Sequence, residues 1–226
     1  MLTPSLEDYL ETIYLLQQGS ELARVRDIAT ARDVKASSVS PALKQLAELG
    51  YLEYEQRKFI RLTETGKVAA RRVYARHVLL FQFFHDILGM NEAQAREEAC
   101  GLEHALSDEG MERFVRFFES RSTCPHQGAC MGGSNAQMSQ SDPCSVCRHR
   151  VNQQQLLLSA VPENTDVTVC QVKAEGTDRK TILEMGILPN VVLKRVKKHG
   201  DKVTIEIDGH EMTLTDAQTQ VIVVTL

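Results

Sequence analysis

Tryptophan is absent from the 226 residues, and every Tyr and Phe precedes residue 119. Residues 119–226 therefore lack the aromatic groove that grips proline-rich peptides. No apolar run approaches the roughly 20 residues of a membrane-spanning helix. The start, "MLTPSLEDYLE", is acidic where a signal peptide is basic and then apolar. The chain reads as a cytoplasmic protein with no membrane partner. Its six cysteines then read as thiols or metal ligands before disulfides. No nucleotide-binding or oxyanion loop accompanies them, so neither an enzyme nor a small organic substrate is expected. A basic excess is missing too: the formal net charge is −4.

The distribution of charge says more than its sum. Residues 57–76, "RKFIRLTETGKVAARRVYAR", hold seven Lys/Arg and one Glu, whereas residues 97–119 hold seven acidic residues and two Arg. The basic stretch leans towards phosphate contact. Helical spacing over residues 5–17, two short helices near 25–31 and from Ser37 to before Gly50, and an alternating "YLEYEQRKFIRLT" follow in order. Ser37 is expected to cap the second short helix. That order is a winged helix-turn-helix, with a plain three-helix bundle as the alternative. Its second helix would present Ser37, Ser38, Ser40, Lys44 and Gln45 to double-stranded DNA, with Arg57 and Lys58 at the wing tip for phosphates.

A long helix over 66–90 follows. Its "VLLFQFFHDIL" is apolar almost all round, and six of the seven Phe lie between Phe81 and Phe118. Such a helix is buried on more than one side, which predicts a homodimer. Next to it, "EEACGLEH" places Cys100, Glu103 and His104 at i, i+3 and i+4, on one helix face. Asp8 and Glu11 share a face of the first helix, and His77 lies on the long one. Those residue types suit a divalent ion. Spacing alone leaves a small buried cysteine beside two solvated polar groups equally open.

The stretches "LTPSLEDYLETIYLL", "VRDIATARDVKASSVSPALKQLAELGYLEYE", "LTETGKVAARRVYARHVLL" and "EEACGLEHALSDEGMERF" together resemble the diphtheria-toxin-repressor family of metal-dependent transcription regulators. The resemblance implies metal ligands at Asp8, Glu11, His77, Cys100, Glu103 and His104, and an Fe2+- or Mn2+-dependent repressor of metal-homeostasis genes acting as a homodimer on operator DNA. Iron-type members carry Met at the position of Asp8, and manganese-type members carry Glu at that of Cys100; this chain mixes the two. Ligands of the iron-type ancillary site fall on Phe81 and Arg96, which cannot serve. His77 is therefore expected in a single cluster, with two close ions bridged by a carboxylate. The alternative function is a metal-independent winged-helix regulator with a redox or iron–sulfur sensor.

That sensor would lie in "TCPHQGACMGGSNAQMSQSDPCSVCRH", which is rich in Gly, Ser, Asn and Gln. Cys124, Cys130, Cys144 and Cys147 read C-x5-C-x13-C-x2-C there, a spacing open to a structural Zn2+ site, an iron–sulfur cluster or free thiols. Residues 161–226 alternate as about five strands of a small barrel, with "DG" at 208–209 as a hairpin turn and Cys170 in its core. "RKTILEMGILPNVVLKRVKKHGDKVTIEIDGHEMTL" resembles an SH3-like FeoA-type domain. The expected fold is mainly α with a β wing plus a small all-β barrel. It divides into a winged helix-turn-helix at 1–72, a helical metal-binding and dimerisation domain at 73–122, a Cys-rich linker at 123–160 and the barrel at 161–226.

Overall fold

The computed structural model describes residues 2–18, 22–55, 59–123 and 155–226, with backbone alone at 121–123. Helix α1 (Pro4–Gln17) starts on Thr3, whose side chain accepts from the Leu6 amide, with Pro4 at the first turn where its missing N–H costs nothing. Leu10, Ile13 and Tyr14 recur at helical spacing and are fully buried. Helices α2 (Val25–Ala31) and α3 (Ala36–Glu48) join through a tight turn in which Asp33 takes φ 52°. The cap expected at Ser37 is not there. Helix α3 begins at Ala36 after an extended Lys35, with no side-chain cap, because the backbone itself closes the turn: Ser38 N donates to Lys35 O at 2.9 Å. Val39, Leu43 and Leu46 pin α3 to the core at 0% exposure. Each buried leucine contributes about 1.5–3 kcal/mol.

Strands β1 (Leu52–Glu55) and β2 (Phe59–Leu62) pair antiparallel, with Leu52 opposite Leu62 and Tyr54 opposite Ile60. Helix α4 (Glu64–Gln82) then runs into a π-helical turn (Phe83–Ile87), which the sequence pattern does not predict. Helices α5 (Glu92–Glu103) and α6 (Asp108–Thr123) pack beside it. Phe83 meets Phe114 edge-on with ring centroids 5.0 Å apart. Yet Phe81, Phe83 and Phe84 remain only half-buried within one chain. Among the described residues, no helix is long and apolar enough to cross a membrane.

The C-terminal unit is a six-stranded antiparallel sheet of order β3-β8-β4-β5-β6-β7. Strands β4 (Thr165–Val172), β5 (Val192–His199), β6 (Lys202–Ile207), β7 (His210–Thr215) and β8 (Ile222–Thr225) are the ones the alternation predicts. Asp208 (φ 51°) and Gly209 (φ 76°) form the expected hairpin turn. Strand β3 (Gln155–Leu157) differs: it falls within the stretch read as linker, too short at three residues to show alternation, and it exists by pairing with β8. Helix α7 (Gly176–Glu184) and a short capped turn, α8 (Asp216–Thr219), complete the unit.

This sheet unit seats on the helices through defined contacts. The His210 ring stacks on Tyr14 with centroids 4.3 Å apart, and Arg71 Nε donates to Tyr14 Oη at 3.1 Å. Arg179 on α7 reaches Glu112 and Glu119 on α6 at 2.7 and 2.8 Å. Gly186 has φ +77°, and a Cβ there would stand 2.6 Å from Arg71 Cγ. Gly186→Ala is therefore expected to cost about 1–3 kcal/mol, read as a lower urea midpoint.

Candidate metal centre and nucleic-acid interface

Three helices carry the six residues singled out for a metal, and packing brings them together. Asp8 and Glu11 stand one turn apart on α1, His77 lies inside α4, and Cys100 and Glu103 occupy the last turn of α5 with His104 as its C-cap. Glu103 is the hub. It is 2% exposed. Asp8, Cys100 and Glu103 can each offer one ligand atom within 4.8 Å of the others, and so can Glu11, His77 and Glu103, two groups of three that share this one carboxylate.

His77 Nδ1 sits 2.7 Å from Glu103 Oε2. His104 joins neither group of three; its Nε2 is 2.7 Å from Asp8 Oδ1 and its Nδ1 2.7 Å from Glu7 Oε2. Glu103 Oε1 is buried without a hydrogen-bond partner, and His104 Nε2, 3.1 Å away, is not aligned to donate to it. A buried carboxylate oxygen without a hydrogen bond is costly, and a nearby cation, the protonated His104 or a metal ion, offsets that cost. The donor set of carboxylates, imidazoles and one thiol fits a divalent first-row metal.

Electrostatics describe a cluster short of positive charge. Burial, reinforced by Glu103 and Asp8, raises the Glu11 carboxyl to about 7. For His77, burial pushes the pKa down, but the hydrogen bond to Glu103 and its charge outweigh that and leave it raised. His104 is likewise raised, burial being outweighed by the hydrogen bonds to Glu7 and Asp8. Cys100 is an exposed residue, yet partial desolvation of its thiol and then the charges of Glu103, Asp8 and Glu11 push that thiol up. A cation bound here would compete with the protons that these raised pKa values favour.

Two residues of this neighbourhood escape the sequence reading. Glu7 has a local signal, since it lies four before Glu11 and shares its helix face. Arg32, whose Nη2 donates to Asp8 Oδ2 at 2.7 Å, has none, being 24 positions away in the chain. The positions expected to be unable to ligate do something else: the Arg96 guanidinium lies 5.6 Å from the centroid of the Phe81 ring.

On α3, Ser37, Ser38, Lys44 and Gln45 are exposed and Ser40 half-buried, opposite the buried face of Val39, Leu43 and Leu46. Arg57 and Lys58 lie outside the described residues, as do Cys124, Cys130, Cys144 and Cys147. Cys170 is buried in β4 at 7% exposure.

A family model described as the iron-dependent repressor N-terminal DNA-binding domain matches residues 1–60, and one described as the iron-dependent repressor metal-binding and dimerisation domain matches residues 63–130. A FeoA domain model matches residues 156–226. An uncharacterized HTH-type transcriptional regulator of Methanocaldococcus jannaschii is 40% identical over 119 residues, 52% of this chain and 95% of that protein. The HTH-type transcriptional regulator MntR of Bacillus pumilus is 42% identical over 122 residues, 53% of this chain and 84% of that protein. A solved structure of the manganese regulator SloR aligns over 99% of each chain at 25% identity, with a TM-score of 0.48.

Proposed function

The chain belongs to the diphtheria-toxin-repressor family of iron-dependent repressors, and from that premise we propose that the cluster around Glu103 is the switch of a metal-dependent DNA-binding repressor controlling metal-homeostasis genes. It is a regulator and not an enzyme. The observation that carries the reading is the Glu103 carboxylate, which is buried, has one oxygen without a hydrogen bond, and is shared by two groups of candidate ligands from three helices.

A bound divalent cation would supply the positive charge that these carboxylates lack. Asp8, Cys100 and Glu103 would hold one ion and Glu11, His77 and Glu103 another, with His104 turning from its carboxylates to either. The thiolate favours Fe2+ over Mn2+ at the first position. Asp8 and Glu11 belong to the DNA-reading part (residues 1–72), whereas His77, Cys100, Glu103 and His104 belong to the helical dimerisation part (residues 73–122). Closing the two parts on each other fixes where α3 stands. In a homodimer that sets the separation of two reading helices against successive major grooves, about 34 Å apart. Gln45 and the serines would read base edges, and Lys44, Arg57 and Lys58 phosphates.

The test is operator affinity under anaerobic conditions, with Fe2+, with Mn2+ and after chelation, on a duplex enriched from random sequence by the metal-loaded protein. Metal is expected to tighten binding about 5–150-fold. Equal affinity after chelation would refute the switch.

A further inference from the structure

The two oxygens of Asp8 have different partners. Oδ1 lies 2.7 Å from His104 Nε2, at the end of α5. Oδ2 accepts from Arg32 Nη2, also at 2.7 Å. Arg32 belongs to no element that carries the metal cluster. It is the C-cap of α2 and opens the turn into the reading helix α3. Asp8 therefore stands between the dimerisation part and the turn of the helix-turn-helix, with one oxygen for each.

That turn is tied by backbone hydrogen bonds. The Arg32 amide donates to Ile28 O at 3.0 Å, Val34 N returns to Ala29 O at 3.0 Å, and Asp33 occupies the left-handed region with φ 52°. The guanidinium is also oriented, with its carbon 4.9 Å from the centroid of the buried Tyr9 ring, next to Asp8 on α1. Its Nε is buried without a hydrogen-bond partner, and among the described residues Asp8 is the carboxylate this side chain pairs with. The pair adds little net stability: its side chains are 24% and 20% exposed, so desolvation offsets much of the Coulombic gain. What it does provide is direction, because a planar guanidinium on a ring holds a carboxylate in one orientation.

We propose that Arg32 is the positioning residue through which occupancy of the metal cluster reaches the reading helix. Asp8 gives one oxygen to the cluster and keeps the other on Arg32, so the orientation imposed on this carboxylate sets where the α2–α3 turn stands relative to α1. The inference rests on the reading of the Glu103 cluster as a metal switch.

The experiment uses the full-length protein with Arg32→Gln and Arg32→Lys. Two quantities are measured for each: Mn2+ affinity without DNA, by chelator competition, and operator affinity with and without Mn2+. For R32Q, Mn2+ affinity is expected to be equal to wild type or a few-fold tighter, since a positive charge next to Asp8 has gone. The ratio of metal-loaded to metal-free operator affinity is expected to fall by about tenfold. R32K should stand between R32Q and wild type, because an ammonium reaches the carboxylate but lacks the planar fork that fixes its orientation. A merely structural Arg32 would instead lower Mn2+ affinity, metal-free operator affinity and melting temperature together, and that result overturns the proposal. So does a wild-type ratio in R32Q, or an R32K no better than R32Q. Wild-type protein whose operator affinity ignores both Mn2+ and Fe2+ would sink the switch reading itself, a failure visible before any variant is made.

Discussion

Glu103→Gln is expected to abolish the metal-dependent gain in operator affinity while leaving the metal-free protein folded and only modestly less stable than wild type. The two halves of that result come from the same atoms. Glu103 is common to both groups of candidate ligands, so its replacement removes an anionic donor from each. Losing an outer-shell partner of a metal site costs 10–100-fold in affinity, and losing a shared direct ligand is expected to cost at least about 100-fold. Stability falls too, but by less. The wild-type carboxylate is buried 2.7 Å from His77 Nδ1 and 3.1 Å from His104 Nε2, and its charge helps to raise His77. A glutamine of the same shape still accepts from His77 but leaves the imidazoles without that anion; relief of the repulsion on Asp8 and Glu11 offsets part of the loss, for a net cost of about 1–3 kcal/mol. Thermal melts with and without Mn2+ check both halves. The metal-free melting temperature should fall by no more than about 10 °C, and the rise on adding Mn2+ should vanish. A variant that is simply unfolded would contradict the account, since a structural carboxylate, not a ligand, behaves so.

Metal affinity is expected to climb steeply with pH up to about 7, and metal-free stability to fall over the same range. Glu11 must release its proton to ligate, and its folded-state pKa is about 7 against 4.5 for an ordinary glutamate. Below pH 7 each proton displaced on binding makes affinity rise about tenfold per pH unit. In the metal-free protein, a carboxyl with a raised folded pKa binds more protons folded than unfolded between those two values. Folding is then favoured at low pH, and that advantage is lost as pH climbs through 7, by at most about 3 kcal/mol. His77 and His104 are raised too, so their contribution is present below their unfolded pKa and likewise disappears as pH rises through the folded one. Urea midpoints at pH 5, 6, 7 and 8, with and without Mn2+, should therefore diverge: falling without metal and holding or rising with it. Glu11→Gln should flatten much of the metal-free slope. A metal-free midpoint that increases from pH 5 to 8 would contradict this electrostatic picture.

Much of this was legible without coordinates because it is local. Val39, Leu43 and Leu46 fix α3 by their spacing alone, and the Asp208–Gly209 turn follows from the need for two positive φ values. Cys100, Glu103 and His104 are fixed relative to one another by a single helix. What escaped depends on how elements meet. Strand β3 is three residues long and exists only through β8. Arg32 reaches Asp8 because α1 and α2 pack together, which no periodicity in either helix announces. His104 also illustrates the limit: its helix face was foreseeable, but not that Glu7 and Asp8 would hold both ring nitrogens.

The measurement closest to the central claim is anomalous scattering from crystals of the protein grown with Mn2+. The account predicts density bonded to Glu103 and to at least one carboxylate of α1, Asp8 or Glu11, with His77 or Cys100 completing the shell. Manganese held by residues of a single helix, with the α1 carboxylates turned away, would contradict it.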